Sequence, residues 1–268
     1  MRTSSAETLT VKATEDTREI GKYDVLGVPV SAVTPMRAVN LIEQWANDDT
    51  GRFVCVRDVA SLMAMRKDPA FAELHKVAAM VTPDGMPLAI IGRLRGFPVE
   101  RTCGANVLDL VLSRSPKTGL KHYFYGGKSG IAEQLAQFFP EKYPGARIVG
   151  YESPPFGPLS EEEDRAATAR IAASDADVVW IGLSSPKQDV WMWEHYKRLP
   201  QTLVGVGAAF DYHSGAIRRA PLWMQKSGLE WLHRLLSEPK RLWRRYLVLA
   251  PRFVFLAAFE LFAWKTQA

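Results

Sequence analysis

One carboxylate stands where an apolar lead-in gives way to a helix-compatible run. Asp84 lies in V-T-P-D-G-M-P-L-A-I-I-G-R (81–93), after A-A-M-V (78–81). An aspartate there can cap a helix by accepting from its free N–H groups. It can equally stand at the end of a strand and take a proton from a hydroxyl nucleophile. The spacing leaves both roles open. Arg101, in E-R-T-C-G-A-N (100–106), carries a planar fork suited to gripping a phosphate.

Three glycine-bearing stretches add candidates. In Y-F-Y-G-G-K-S-G (123–130), Gly126 and Gly127 end a strand-like run just before a helix. Backbone amides at such a turn can seat a diphosphate, though a tight turn explains the glycines equally well. The run matches neither G-x-G-x-x-G nor a P-loop. In W-I-G-L-S-S-P-K-Q-D-V-W-M-W-E-H (180–195), Lys187 offers a point charge, and Gln188 offers a donor and an acceptor for a sugar hydroxyl or base edge. The bland alternative is a capped helix start with both side chains in water. In V-G-V-G-A-A-F-D-Y-H-S-G-A-I-R-R-A-P (204–221), Asp211 and His213 are either an acid/base pair or ordinary turn residues. No zinc or calcium ligand spacing appears, and Cys55 and Cys103 form no C-x-x-C pair. Two reduced thiols in the cytosol are the expectation.

The elements that would position these groups alternate along the chain. Strand-like runs fall at 24–30, 52–56, 120–126, 146–151, 176–183 and 202–207. Helix-like stretches separate them: one opens at Thr34-Pro35, one near Ser129, one at the capping box Ser160…Glu163 and one near Ser185-Pro186. Nearly all-apolar runs such as D-V-V-W-I-G-L fit strands buried on both faces. The predicted fold is α/β: a Rossmann-like, mostly parallel sheet covered by helices over residues 21–216. Residues 1–20 read as a disordered lead without a secretory h-region. From 217 to 268 the alternation stops, and two or three helices rich in Trp, Leu, Phe and Arg are expected as an appendage.

The 268 residues carry a net charge of +5, and 47% are hydrophobic, enough for a full core. Between Arg218 and Arg252 lie nine Lys or Arg against Glu230 and Glu238. Such an excess suits phosphorylated substrates, anionic lipid or nucleic acid. No helix-turn-helix, RRM or OB signature supports nucleic acid, and the missing G-x-G-x-x-G argues against an NAD enzyme. The apolar tail 247–263 is interrupted by Pro251, Arg252 and Glu260, which favours an interfacial helix, with Trp243 and Trp264 at headgroup level, over a span. A surface helix or an oligomer contact is the plain alternative.

In order, T-P-D-G-M-P, E-R-T-C-G-A-N, Y-G-G, W-I-G-L-S-S-P-K-Q-D, V-G-V-G-A-A-F-D-Y-H-S-G, R-R-A-P and G-L-E-W-L-H-R-L-L-S-E-P-K-R-L-W-R-R-Y resemble the WecG/TagA/CpsF family of bacterial glycosyltransferases. The resemblance covers roughly residues 24–250. It implies inverting transfer from a UDP-sugar to a polyprenyl-diphosphate-linked acceptor, in surface polysaccharide synthesis, peripherally at the cytoplasmic face of the inner membrane. It implies no metal and no other cofactor. The family's base falls on Asp84 and its substrate-binding side chains on Arg101, Gln188 and the appendage arginines Arg234, Arg241 and Arg244, which share a helical face if the helix runs through Pro239. Three departures stand out. Gly104-Ala105-Asn106-Val107 replaces G-x-D-L, so Asn106 takes the acid's place. Asp189 stands for the glutamate of P-K-Q-E. Val56-Arg57-Asp58 replaces T-x-N, which makes Asp58 a possible second carboxylate beside the base. A homo-oligomer is compatible, and so is a non-catalytic partner in a polysaccharide complex.

Overall fold

The computed structural model describes residues 20–267; the expected lead, Ile20 apart, lies outside them. The run expected as one strand over 24–30 folds as a hairpin, β1 (Lys22–Val25) and β2 (Val28–Ser31). Leu26 (φ 55°) and Gly27 (φ 84°) turn the chain between them, both left-handed as a two-residue type I′ turn requires.

The body is a six-stranded parallel sheet. Its strands are β3 (Arg52–Arg57), β4 (Met80–Pro83), β5 (Lys121–Gly126), β6 (Arg147–Glu152), β7 (Val178–Gly182) and β8 (Thr202–Gly205), in the order β4-β3-β8-β7-β5-β6. β3 leads outward to β4 at one edge and β5 to β6 at the other; β7 and β8 fill the middle. The sheet is thus wound from its centre, which opens a crevice beyond the carboxyl ends of the central strands. Successive residues serve opposite faces, as the pleat demands. Phe53, Cys55, Val179 and Ile181 join one apolar cluster, and Val54, Val178, Trp180 and Val204 join the other.

The covering helices are α1 (Pro35–Trp45), α2 (Val59–Met65), α3 (Pro69–Lys76), α4 (Met86–Leu94), α5 (Gly104–Thr118), α6 (Ile131–Lys142), α7 (Glu161–Ala173), α8 (Lys187–His195) and α9 (Ala209–His213). The expected starts hold locally. Thr34 accepts from Arg37 N at 3.2 Å with Pro35 in the first turn, and Ser160 and Glu163 form a reciprocal box. Asp84 does not cap α4: Gly85 is the N-cap, and no side chain serves it.

The C-terminal part comprises α10 (Leu222–Lys226), α11 (Glu230–Ser237), α12 (Pro239–Trp243), a π-helical stretch (Arg244–Leu249) and α13 (Ala250–Gln267). Glu238 (φ −136°, ψ 59°) breaks the helix and Pro239 starts a new one, so the chain does not run helically through that proline. The segment folds back onto the body. Phe253 and Ala257 enter the same apolar cluster as Leu62 and Met63 of α2. Glu260 accepts from Leu26 N at 2.7 Å and pairs with Arg95, whose Nη1 also donates to Asp24 O at 2.5 Å.

Candidate active site

The crevice at the carboxyl ends of β3, β4, β7 and β8 opens into a cavity of about 1200 Å³, roofed by α11, α12 and the start of α13. Asp84 lies on its wall because β4 ends at Pro83 and the N–H groups of Asp84 and Gly85 both donate to Arg57 O, at 2.7 and 3.3 Å. Arg101 holds the same corner. Its Nε donates to Asp84 O at 2.6 Å, and its Nη2 lies 3.4 Å from Asp84 Oδ1 and 2.7 Å from Glu230 Oε2.

Protein surrounds the Asp84 carboxyl, which still opens onto the cavity with 32% of its side-chain surface. That burial pushes its pKa up; Arg101 and Arg234 pull it back, while the Glu230 charge adds to the rise. A carboxylate held this way accepts a proton more readily than an ordinary one. Burial also lifts Glu230, but Arg101 and Arg219 outweigh it and keep Glu230 below the usual range. Glu230 is therefore the ionised counter-charge of the corner.

Of the other expected residues, Asp58, Gln188, Asp211, Arg234 and Arg241 line the cavity. Asp58 caps α2 by accepting from Ser61 N at 2.8 Å and pairs with Arg245. Gln188 is buried, and its Oε1 has no hydrogen-bond partner among the described residues. The bare α-carbons of Gly205 and Gly207 make room for it: a Cβ there would lie 3.2 Å from Gln188 Nε2 and 3.5 Å from Oε1 respectively. Arg234 packs over the Tyr212 ring at 5.7 Å; among the described residues no carboxylate lies within 4 Å of it, and its Nε is buried without a partner. Arg241 pairs with Glu238 at 2.8 Å.

The structure does not bring the rest together. Arg244 lies over Trp243 at 5.3 Å, and Arg245 takes its place at the cavity. Lys187 is exposed, with Nζ 5.1 Å from the Phe156 ring. Asn106 sits in the first turn of α5 without lining the space. Gly126 and Gly127 serve packing: a Cβ on Gly126 would meet the Gly182 backbone at 2.7 Å, and one on Gly127 would meet Ile131 at 2.8 Å. His213 turns away from Asp211 and donates from Nε2 to Ala105 O at 3.0 Å, so the two are not an acid/base pair. Several helix starts do reach the cavity, among them that of α5, through Cys103, Gly104 and Ala105. The first N–H groups of α5 have no partners within the helix and offer an anion seat.

Sequence reasoning missed Glu230, Arg219, Arg245 and Tyr212. All four fall in or beside motifs that carried the family resemblance, which is the signal that could have found them. Apolar side chains, among them Val59, Ala64, Met86, Leu242, Val254 and Phe255, share the lining with these polar groups. A shallower hollow of about 520 Å³ between α6 and β6 carries a single cation, Arg147, and no acid. Cys55, His75 and Asp189 place ligand-type atoms within 4.8 Å of one another, but Arg57 already lies among them.

A carboxylate of raised basicity beside guanidinium groups, beyond the strand ends of a parallel sheet, has the means to take a proton while negative charge develops nearby. The chain belongs to the Glycosyl transferase WecG/TagA/CpsF family, which matches residues 23–267, and it is a glycosyltransferase. One relative, an N-acetylglucosaminyldiphosphoundecaprenol N-acetyl-beta-D-mannosaminyltransferase of Bacillus spizizenii, is 27% identical over 212 residues, covering 78% of this chain and 80% of the relative.

Proposed function

We propose that the protein moves a sugar, with inversion, from a UDP-sugar to a prenyl-diphosphate-linked glycan at the cytoplasmic face of the inner membrane, as a peripheral enzyme. The observation that carries this reading is the make-up of one cavity, in which Asp84 and the unpaired Arg234 share the lining with apolar side chains. A diphosphate suits the polar groups and a lipid chain the apolar ones. The relative's name points the same way, since it describes transfer to a diphosphoundecaprenol-linked sugar.

Asp84 takes the proton of the acceptor hydroxyl as that oxygen attacks the anomeric carbon. The bond from that carbon to the β-phosphate oxygen breaks, and UDP leaves with the electron pair. Charge grows on the diphosphate, so groups aimed at it lower the barrier most. Arg234, Arg241, Arg245 and the α5 N-terminus supply that charge, and no metal is required. Gln188, with a free acceptor, holds the base or a sugar hydroxyl. The appendage above excludes water that would otherwise take the sugar. Glu260 is held by the body, and Phe255, Phe259 and Phe262 of α13 stay exposed, as suits a helix lying on a bilayer.

The test is a screen of UDP-sugars, UDP-N-acetylmannosamine first, against a prenyl-diphosphate-N-acetylglucosamine acceptor analogue. Turnover that persists in EDTA and gives a product of inverted anomeric configuration is expected. Failure to bind UDP or to turn over any UDP-sugar overturns the reading; UDP binding without turnover would mark a nucleotide-sugar-binding partner instead.

A further inference from the structure

Arg57 is fully buried, lines no part of the cavity, and has no place in the transfer just described. Yet its backbone and side chain reach opposite walls of the site. The carbonyl accepts from Asp84 N and Gly85 N, which fixes the end of β4. The guanidinium crosses beneath the sheet ends to α8, where Nη2 pairs with the equally buried Asp189, the residue next to Gln188. Nη1 lies 3.5 Å from Ser185 Oγ and 3.2 Å from Val56 O, and Ser185 Oγ donates to Asp189 Oδ2 at 2.7 Å. Nε donates to His75 Nε2 at 2.7 Å, while His75 Nδ1 donates to Phe71 O at 2.7 Å. Burial and the Arg57 charge hold the His75 pKa down at about 4, so the ring stays neutral and free to accept. The whole planar fork is used, and a lysine has no means of filling it.

We infer that Arg57 is a positioning residue: its buried pair with Asp189 sets the Ser185–Gln188 loop against the Asp84 wall, and so sets the width of the donor pocket. Asp189 stands in place of the longer acid of P-K-Q-E, and Arg57 falls at the unspecified middle position of T-x-N. Arg57 and Asp189 act as a couple because each is the other's buried counter-charge. Breaking one member leaves a buried charge unpaired, whereas replacing both by apolar groups need not cost stability.

The inference rests on UDP being the donor nucleotide. The experiment is UDP titration and donor kinetics on the full chain, for wild type, Arg57→Lys and the double variant Arg57→Met/Asp189→Leu, each with its thermal midpoint. The expected result is a rise of about tenfold in UDP Kd and donor KM, with kcat within about twofold, since the Arg57 carbonyl still holds Asp84. Arg57→Lys decides if it folds, and the double variant decides if it does not. A folded variant with wild-type KM and UDP affinity overturns the inference, as does a fall in kcat at unchanged KM. Wild-type protein that fails to bind UDP overturns the functional reading instead, so the two failures are told apart.

Discussion

Asp84 carries an electrostatic strain that suits the base role proposed for it. A carboxyl whose pKa is raised in the fold binds its proton more tightly there than in the unfolded chain. The folded protein is therefore favoured at pH below the ordinary value of 3.8 and loses that contribution as pH rises through the raised value. Asp84→Asn should then keep or raise the thermal midpoint at neutral pH, while turnover falls by about 10³-fold, within the range that general-base removal costs. Scanning calorimetry and a donor-turnover assay check both halves. In the wild type, kcat should fall on the acid side through a pKa above 3.8, and the Asp84→Asn variant should lack that limb. Arg234→Ala should weaken UDP binding by about 1.5–3 kcal/mol, the span for a hydrogen bond to a charged group, measured by titration calorimetry. Asp84, Arg101 and Gln188 were legible only as candidates, because their spacing also fits a cap or a solvated side chain; the ordered family motifs are what singled them out. Arg57 was not, because its burial arises only when the fold brings the end of β3 against α8.

Elements explain the misplaced arginine. Spacing of seven and three puts Arg234, Arg241 and Arg244 on one face only in an uninterrupted α-helix. Pro239 interrupts it, and the π-helical stretch from Arg244 winds wider than an α-helix. The face turns by about one residue, so Arg245 meets Asp58 and Arg244 meets Trp243. Local sequence cannot announce a π turn, because hydrogen-bond register depends on what the helix packs against. The hairpin β1–β2 was hidden for a related reason: Leu26 accepts a left-handed conformation where Glu260, far along the chain, takes its N–H. Glu260→Ala should leave that N–H and Arg95 without their acid and cost about 1–3 kcal/mol, the range for unsatisfied buried groups. Hydrogen exchange should speed up at Leu26 and along Ala250–Gln267, with β3 to β8 unchanged. Unchanged exchange at Leu26 would show that Glu260 does not hold the turn.

Across the whole molecule, the sequence disclosed the α/β architecture and the helical make-up of the tail, because strand burial and basic-aromatic composition are written locally. Closure of the cavity by the tail was expected only through the family resemblance, because it depends on the tail doubling back over the sheet ends, which no local pattern shows. The run Pro239–Trp264 is long and apolar enough to cross a bilayer, at a mean hydropathy of 1.8, yet its anchors Phe253, Ala257 and Glu260 are spent on the body. Sedimentation with anionic vesicles should therefore be strong at low salt and weaken as salt rises, whereas a spanning helix would resist salt. Glu230 gives this arrangement a further meaning. It reaches the arginine beside Asp84 from the appendage, and the same segment walls that acid from solvent. A copy whose tail has lifted keeps its proton acceptor but loses the surroundings that sharpen it, so stray water gains little help in attacking the donor. On the proposed function, that order of assembly would favour a lipid-borne acceptor over water, even where the pocket's outline would admit other nucleophiles.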